Sequence, residues 1–284
     1  MSASVEVLEG RKPSFRSAIR LPKLPVDPLG VLGLLIVIGA WWAITTLGLA
    51  SPMFLPPPAG IIESIRDNFF ASPYLDNYHL GGGLYSNIAY TFSNVMISLL
   101  VSCIVGVGLG LLSARLSLFR AMIDPVMLTA GTIPILVTAP FFLIWFGTSR
   151  VAQTALLIIY GVTILYVFAQ RAGDNLDPTY PSAARMLGAP SGRILFDVFL
   201  LGTLPEVLGG VRIAMAGSWG LETFSELLGA PHGVGRVIQA MATGMDTQMM
   251  IATILALAAV AVACDLIVLV AFGYLTRWRR VARL

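Results

Sequence analysis

Uncharged apolar stretches of about 20 residues recur along this chain, and that is the length a helix needs to cross the hydrocarbon core of a bilayer. No other feature constrains the fold as much, because lipid cannot hydrogen-bond the backbone, and a spanning segment must pair its own polar groups as a helix or a closed barrel. The predicted spans run from about Leu29 to Leu49, Asn87 to Leu112, Pro125 to Phe146, Val151 to Gln170, Leu204 to Leu221 and Met249 to Tyr274. The fifth is of lower quality, since it holds Glu206 and Arg212, and the sixth is interrupted by Asp265. Composition agrees: 57% of residues are hydrophobic, only 12% are charged, and mean hydropathy is +0.84. An ordinary soluble domain carries roughly 25% charged residues. The expectation is an all-α, polytopic membrane protein with about six transmembrane helices.

Charge placement orients it. Arg11, Lys12, Arg16, Arg20, Lys23, Arg115, Arg120, Arg171, Arg185, Arg193, Arg277, Arg279, Arg280 and Arg283 all fall on one side of this topology. The other side keeps only Arg66, Arg150 and Arg236, so the positive-inside rule predicts both termini in the cytoplasm. Residues 1–28 then form a cytoplasmic segment and 29–284 one transmembrane domain. The polar residues before the first span do not read as a signal peptide, and that span lacks a small-residue cleavage site. A net charge of +3 gives no reason to expect nucleic acid as a partner. Cys103 and Cys264 lie in apolar runs and read as packing residues.

Two connections carry structure of their own. After the first span, Pro56, Pro57 and Pro58 fix an extended segment, and Ile61, Ile62, Ile65 and Phe69 follow at helical spacing, predicting a short helix on the outer face. Within the second span, Gly106 and Gly110 form a small-xxx-small pair suited to packing inside the bundle. The inner loop 171–200 is longer than a helix hairpin needs and reads as two short helices. Asp177-Pro178 or Tyr180-Pro181 opens the first, Gly188 ends it, and Ser191 caps a second running through Leu200.

The stretch Ser182-Ala183-Ala184-Arg185-Met186-Leu187-Gly188-Ala189, with Pro205 and Gly210-Val211-Arg212 after it, resembles the EAA loop of bacterial ABC importer permeases. Ile133-Pro134 through Pro140 to Trp145-Phe146-Gly147 is similar to the third-span signature of the nitrate, sulfonate and taurine branch. Trp219, Glu226 and Gly233-Val234-Gly235 also match that branch. The resemblance implies a type I importer permease (MetI-like) fold in which Ser182 to Ala189 form a coupling helix docked on a cytosolic ABC ATPase dimer. It further implies a second permease copy, identical or related, and an extracytoplasmic substrate-binding protein. ATP and Mg would be bound by the ATPase, with no cofactor in this chain. Ser182 stands where the family has Glu, and Leu201 where it has the first of two prolines. Such a loop also fits a permease paired with a non-identical one.

Candidates for the translocation path are Pro134, Pro140, Trp219, Glu222 and Glu226. Glu222 and Glu226 share a helix face, where they either line the path or bond structurally to the Gly-rich turn that follows. Arg212 and Asp265, opposite in sign and both in the inner half, are expected to pair between the fifth and sixth spans. No catalytic or metal site is expected: there is no phosphate loop ending in Lys-Ser or Lys-Thr, and His79 and His232 have no ligand set around them. An ATPase-independent secondary transporter or channel is the alternative, weakened by the lack of acids spread through several spans. A membrane-embedded enzyme would need a nucleophile or metal constellation that the spans do not offer.

Overall fold

The computed structural model describes residues 28–276. The expected N-terminal segment up to residue 27, with its basic residues, and Arg277, Arg279, Arg280 and Arg283 lie outside the described residues. The elements are α1 Pro28–Thr46, α2 Pro58–Asn68, α3 Pro73–Asp76, α4 Gly83–Arg115, α5 Ser117–Thr132, α6 Ile135–Phe146, α7 Arg150–Asp174, α8 Thr179–Met186, α9 Ser191–Arg193, a π-helical stretch Ile194–Leu200, α10 Leu201–Leu227, α11 Val234–Thr243 and α12 Thr247–Leu275. Five helices among the described residues are long and apolar enough to cross a membrane, and a bent pair makes a sixth when counted as one span.

That bent pair corrects the third predicted span. Residues 125–146 do not form one straight helix: α5 and α6 meet at 99°. Pro134 disfavours helical geometry at the residue before it, and both Ile133 (φ −77, ψ 122) and Pro134 (φ −61, ψ 109) are extended. Uniform apolarity hid the break. Pro125 lies inside α5 rather than at its start.

Among the described residues, the most extensive helix–helix contact joins α4 to α7. Along α4, Ser98, Ser102, Gly106 and Gly110 recur every fourth residue and put a flat ridge against α7. A Cβ added at Gly110 would sit 2.5 Å from the Tyr166 carbonyl and 2.7 Å from Ala169 Cβ. The two serines bond across this seam, Ser98 Oγ to the Thr154 carbonyl at 3.3 Å and Ser102 Oγ to the Ile158 carbonyl at 3.2 Å. On its other side α7 meets α10, where Gly202 and Gly210 receive the Leu176 and Phe168 side chains; an added Cβ would lie 2.6 Å from each. Gly217 receives the Tyr160 ring in the same way.

One end of the bundle is closed by a cap. Ile61, Leu75, Leu80 and Leu84 pack with Val234, Val237, Met241 and Met249 in one buried cluster. The helix expected on the outer face is α2, yet it is part of this packed cap: Ile61 is 1% exposed, Ile65 and Phe69 lean on the cluster, and only Ile62 points away. Gln248 Nε2 donates to the Gly60 carbonyl at 3.0 Å and to Ser64 Oγ at 2.8 Å, which ties the cap to α12. Helix α1 buries none of its side chains and is held at its end by Trp41 Nε1 donating to the Pro56 carbonyl at 3.1 Å.

Overpacking a tight interior costs typically about 1–3 kcal/mol. Gly110→Leu is therefore expected to lower the thermal midpoint of the detergent-solubilised protein by several degrees. Gly108→Ala, where an added Cβ meets nothing within 4 Å, is expected to leave it unchanged.

Candidate coupling and translocation site

Helix α8 leaves the bundle at the end opposite the cap. Asp177 starts it, its Oδ1 accepting the Thr179 N–H at 2.8 Å, and these bonds from Thr179 hold the Asp177 carboxyl below the usual carboxylate range. Gly188 ends it in the left-handed region, at φ +80. There the Ala189 N–H donates to the Ala184 carbonyl at 3.0 Å and the Gly188 N–H to that of Arg185 at 2.9 Å, a Schellman closure. This closure leaves the tip apolar and uncovered, with Met186 83% and Leu187 88% exposed. Arg185 is exposed, while Ala183, Ala184 and Ala189 are half-buried. Ser182, at the position of the family Glu, turns its hydroxyl back onto its own helix, donating to the Pro178 carbonyl at 2.7 Å.

The second short helix of this loop does not exist as a separate piece. Ser191 is the first helical residue rather than a cap and makes no capping bond; α9, the π-helical stretch and α10 run on as one rod of 37 residues. Nothing stops the helix between them. Leu201 occupies the place of a proline, and the Thr203 hydroxyl bonds the Phe199 carbonyl at 2.7 Å just ahead of Pro205. At 1.5 Å per residue the rod is about 55 Å long, well beyond the roughly 30 Å of hydrocarbon. Arg115 at the end of α4 holds its start, bonding the Ser191 carbonyl at 3.3 Å and lying over the Phe199 ring at 5.3 Å. Between α8 and the rod lies a cleft of about 920 Å³ lined by Leu176, Tyr180, Val198 and Pro205.

Of the path candidates, Pro134 and Pro140 are exposed, whereas Trp219, Glu222 and Glu226 point into the subunit. Trp219 packs against Phe92, with ring centroids 6.3 Å apart, and its Nε1 has no hydrogen-bond partner among the described residues. Glu222 and Glu226 are 0% exposed. Glu226 accepts from Thr91 Oγ1 at 2.7 Å through one oxygen and from the Gly235 N–H at 2.8 Å through the other. Asn87 Oδ1 and Thr91 Oγ1 accept the N–H groups of Gly233 and Val234, both at 3.0 Å. Gly233, at φ +113, adopts a backbone that only glycine takes without strain. Glu222 accepts from Asn94 Nδ2 at 2.6 Å; Asn94 also donates to Gln153 at 3.0 Å, and its Oδ1 accepts from Arg150 Nε. The acids thus staple α10, α4, α7 and the Gly-rich turn together.

Arg212 and Asp265 meet in a two-point contact, Nε to Oδ1 at 2.8 Å and NH2 to Oδ2 at 2.6 Å, which joins α10 to α12. The residues that sequence reasoning missed are the partners of the acids: Asn87, Thr91, Asn94, Arg150 and Gln153. A signal was present, since Asn87, Thr91 and Asn94 recur at helical spacing on one side of the second span.

An unpaired buried donor costs about 1–3 kcal/mol. Glu226→Ala, which strands the Gly235 N–H and leaves the Thr91 hydroxyl only the Asn87 carbonyl at 3.2 Å, is expected to destabilise the detergent-solubilised protein by about that amount, and Glu226→Gln by clearly less. Asp265→Asn and Arg212→Gln are each expected to lower the thermal midpoint. The double variant should be no worse than the worse single one, because neither charge is then left alone.

Residues 106–281 match the family described as binding-protein-dependent transport system inner membrane component. The taurine transport system permease protein TauC of Escherichia coli (strain K12) is 27% identical over 238 residues, covering 84% of each chain. The nitrate import permease protein NrtB of Synechococcus elongatus is 24% identical over 224 residues, covering 78% of this chain and 80% of its own. Among solved structures, the MetNI methionine ABC transporter in an inward-facing conformation superimposes with a TM-score of 0.56 at 20% identity, over 68% of this chain and 94% of the other. The helical bundle is therefore of the type I importer permease (MetI-like) fold, and the chain belongs to the family of inner-membrane permease components of binding-protein-dependent transport systems.

Proposed function

We propose that this chain forms the membrane path for a small polar solute handed over by an extracytoplasmic binding protein, and that a separate cytosolic ATPase dimer drives it through Ser182 to Ala189. The observation that carries this reading is α8 itself. Lipid or a neighbouring helix would normally cover an apolar tip such as Met186 and Leu187, yet it stands free at the projecting end of the rod. Its roots are the ends of two long helices, so a partner gripping it moves both. In this reading α8 and both termini face the cytoplasm, ATP and Mg reside on the partner, and a second permease copy, identical or related, completes the path. Pro134 and Pro140 lie at the bend and on the exposed face of α6. They are the path candidates that a second copy would enclose, while Trp219, Glu222 and Glu226 fix the wall behind them. The relatives named for taurine and nitrate support a small anionic or zwitterionic solute.

Co-expression of the chain with its ATPase and reconstitution in proteoliposomes tests this reading. Met186→Asp and Leu187→Asp are expected to fold normally, to lose the ATPase on purification, and to lower ATP-dependent uptake at least about tenfold, the loss that removing one central apolar anchor from an interface brings. ATP-independent uptake by the isolated chain, or full activity of these variants, would refute it.

A further inference from the structure

No side chain of α5 is fully buried, and Phe119, Ile123 and Met127, which recur at helical spacing, are only half-buried, so apolar packing alone holds it weakly. A cluster of polar groups near its start adds directional bonds to that contact. Asp124 accepts from Gln170 Nε2 at 2.6 Å, from the Tyr166 hydroxyl, and from Arg120 Nε at 3.2 Å. Tyr166 is fully buried, with Ser113 Oγ of α4 lying 3.0 Å from its hydroxyl. Arg120 spends the rest of its guanidinium on Asp174, NH1 to Oδ1 and NH2 to Oδ2, both at 3.0 Å. Asp174 is the last residue of α7, and α8 begins at Thr179.

Stability does not explain this arrangement. The side chains of Arg120 and Asp174 are 41% and 36% exposed, and ion pairs so open to solvent contribute at most about 1 kcal/mol. A fork-on-fork contact does fix distance and angle, which a point contact cannot. It also links two places that no continuous helix connects: the root of α8, and the helix whose far end turns by 99° at Ile133 and Pro134. The spans α4, α7 and α10 each carry a fully buried face, whereas α5 has only half-buried apolar residues and this link.

We propose that Arg120, bridging Asp124 on α5 to Asp174 at the root of α8, carries displacement of the coupling helix to the broken span and thereby sets the bend at Ile133–Pro134. Arg120 is a positioning residue in this scheme. It touches no solute, and it acts by making α5 follow α8. The proposal rests on the reading that an ATPase pushes on α8.

Two measurements on the complex with its ATPase test it. The first compares taurine moved per ATP hydrolysed in proteoliposomes, at equal amounts of assembled complex. Arg120→Gln is expected to keep ATP turnover but lower that ratio about fivefold, within the range over which single residues modulate coupling between sites. Arg120→Lys, which keeps the charge without the fork, should fall between, and Asp174→Asn should reproduce Arg120→Gln. An unchanged ratio in Arg120→Gln overturns the proposal. The second needs no solute: spin labels are placed through Leu118→Cys on α5 and Tyr180→Cys on α8, both exposed positions, with Cys103→Ser and Cys264→Ala. Their separation is expected to stay constant between nucleotide-free and ATP-trapped complexes when Arg120 is present and to change when it is Gln. A separation that changes equally in both overturns the link even if taurine is not carried. Failure of the unaltered complex to couple uptake to ATP would instead bring down the functional reading.

Discussion

Hydrocarbon supplies no hydrogen-bond partner, and every polar group placed in it must find one inside the protein. Much of this structure follows from that one demand. The serines of α4 bond to carbonyls of α7, the small residues beside them bring the two backbones close, and both oxygens of Glu226 are occupied. Between apolar surfaces in lipid there is little hydrophobic drive, so close packing and internal polar bonds decide which helices touch. The bundle is accordingly held by these seams together with its buried apolar clusters.

The two ends of the bundle are built on different principles. At the capped end, backbone N–H groups of the Gly233 turn are taken up by Asn87, Thr91 and Glu226, and apolar residues from five helices close over them. That end is a rigid wall. At the other end, α8 stands on a glycine-terminated turn with bare apolar residues at its tip and a cleft behind it. In the proposed reading, this division suits a component driven by a separate ATPase: one part keeps its shape and one takes up a push.

Apolar windows located the spans because length and lack of charge are properties of single segments. They missed the break at Ile133–Pro134 because a window averages over a proline, and the same Pro134 was read for its resemblance rather than as a helix breaker. The continuity of the 37-residue rod was hidden for the opposite reason: Ser191 and the polar turn before it look like a start, and only the absence of any stop further on shows that helix and span are one. The contact of Arg212 with Asp265 was legible from sign and depth alone. The side-chain partners of Glu222 and Glu226 on α4 were not, since they lie 128 and 135 residues away in sequence. The Arg120 cluster left no trace either, because a pairing between helix ends has no period.

The glycine notches of α10 have a mechanical consequence. Tyr160 and Phe168 on α7, and Leu176 in the turn just after it, seat in recesses at Gly217, Gly210 and Gly202 like teeth in a rack. Axial slip of one helix along the other would have to lift all three side chains out together, against the tightness of a packed interior. Piston motion of α10 past α7 is thereby blocked, and a force applied at their shared loop must emerge as a tilt of the pair as one body.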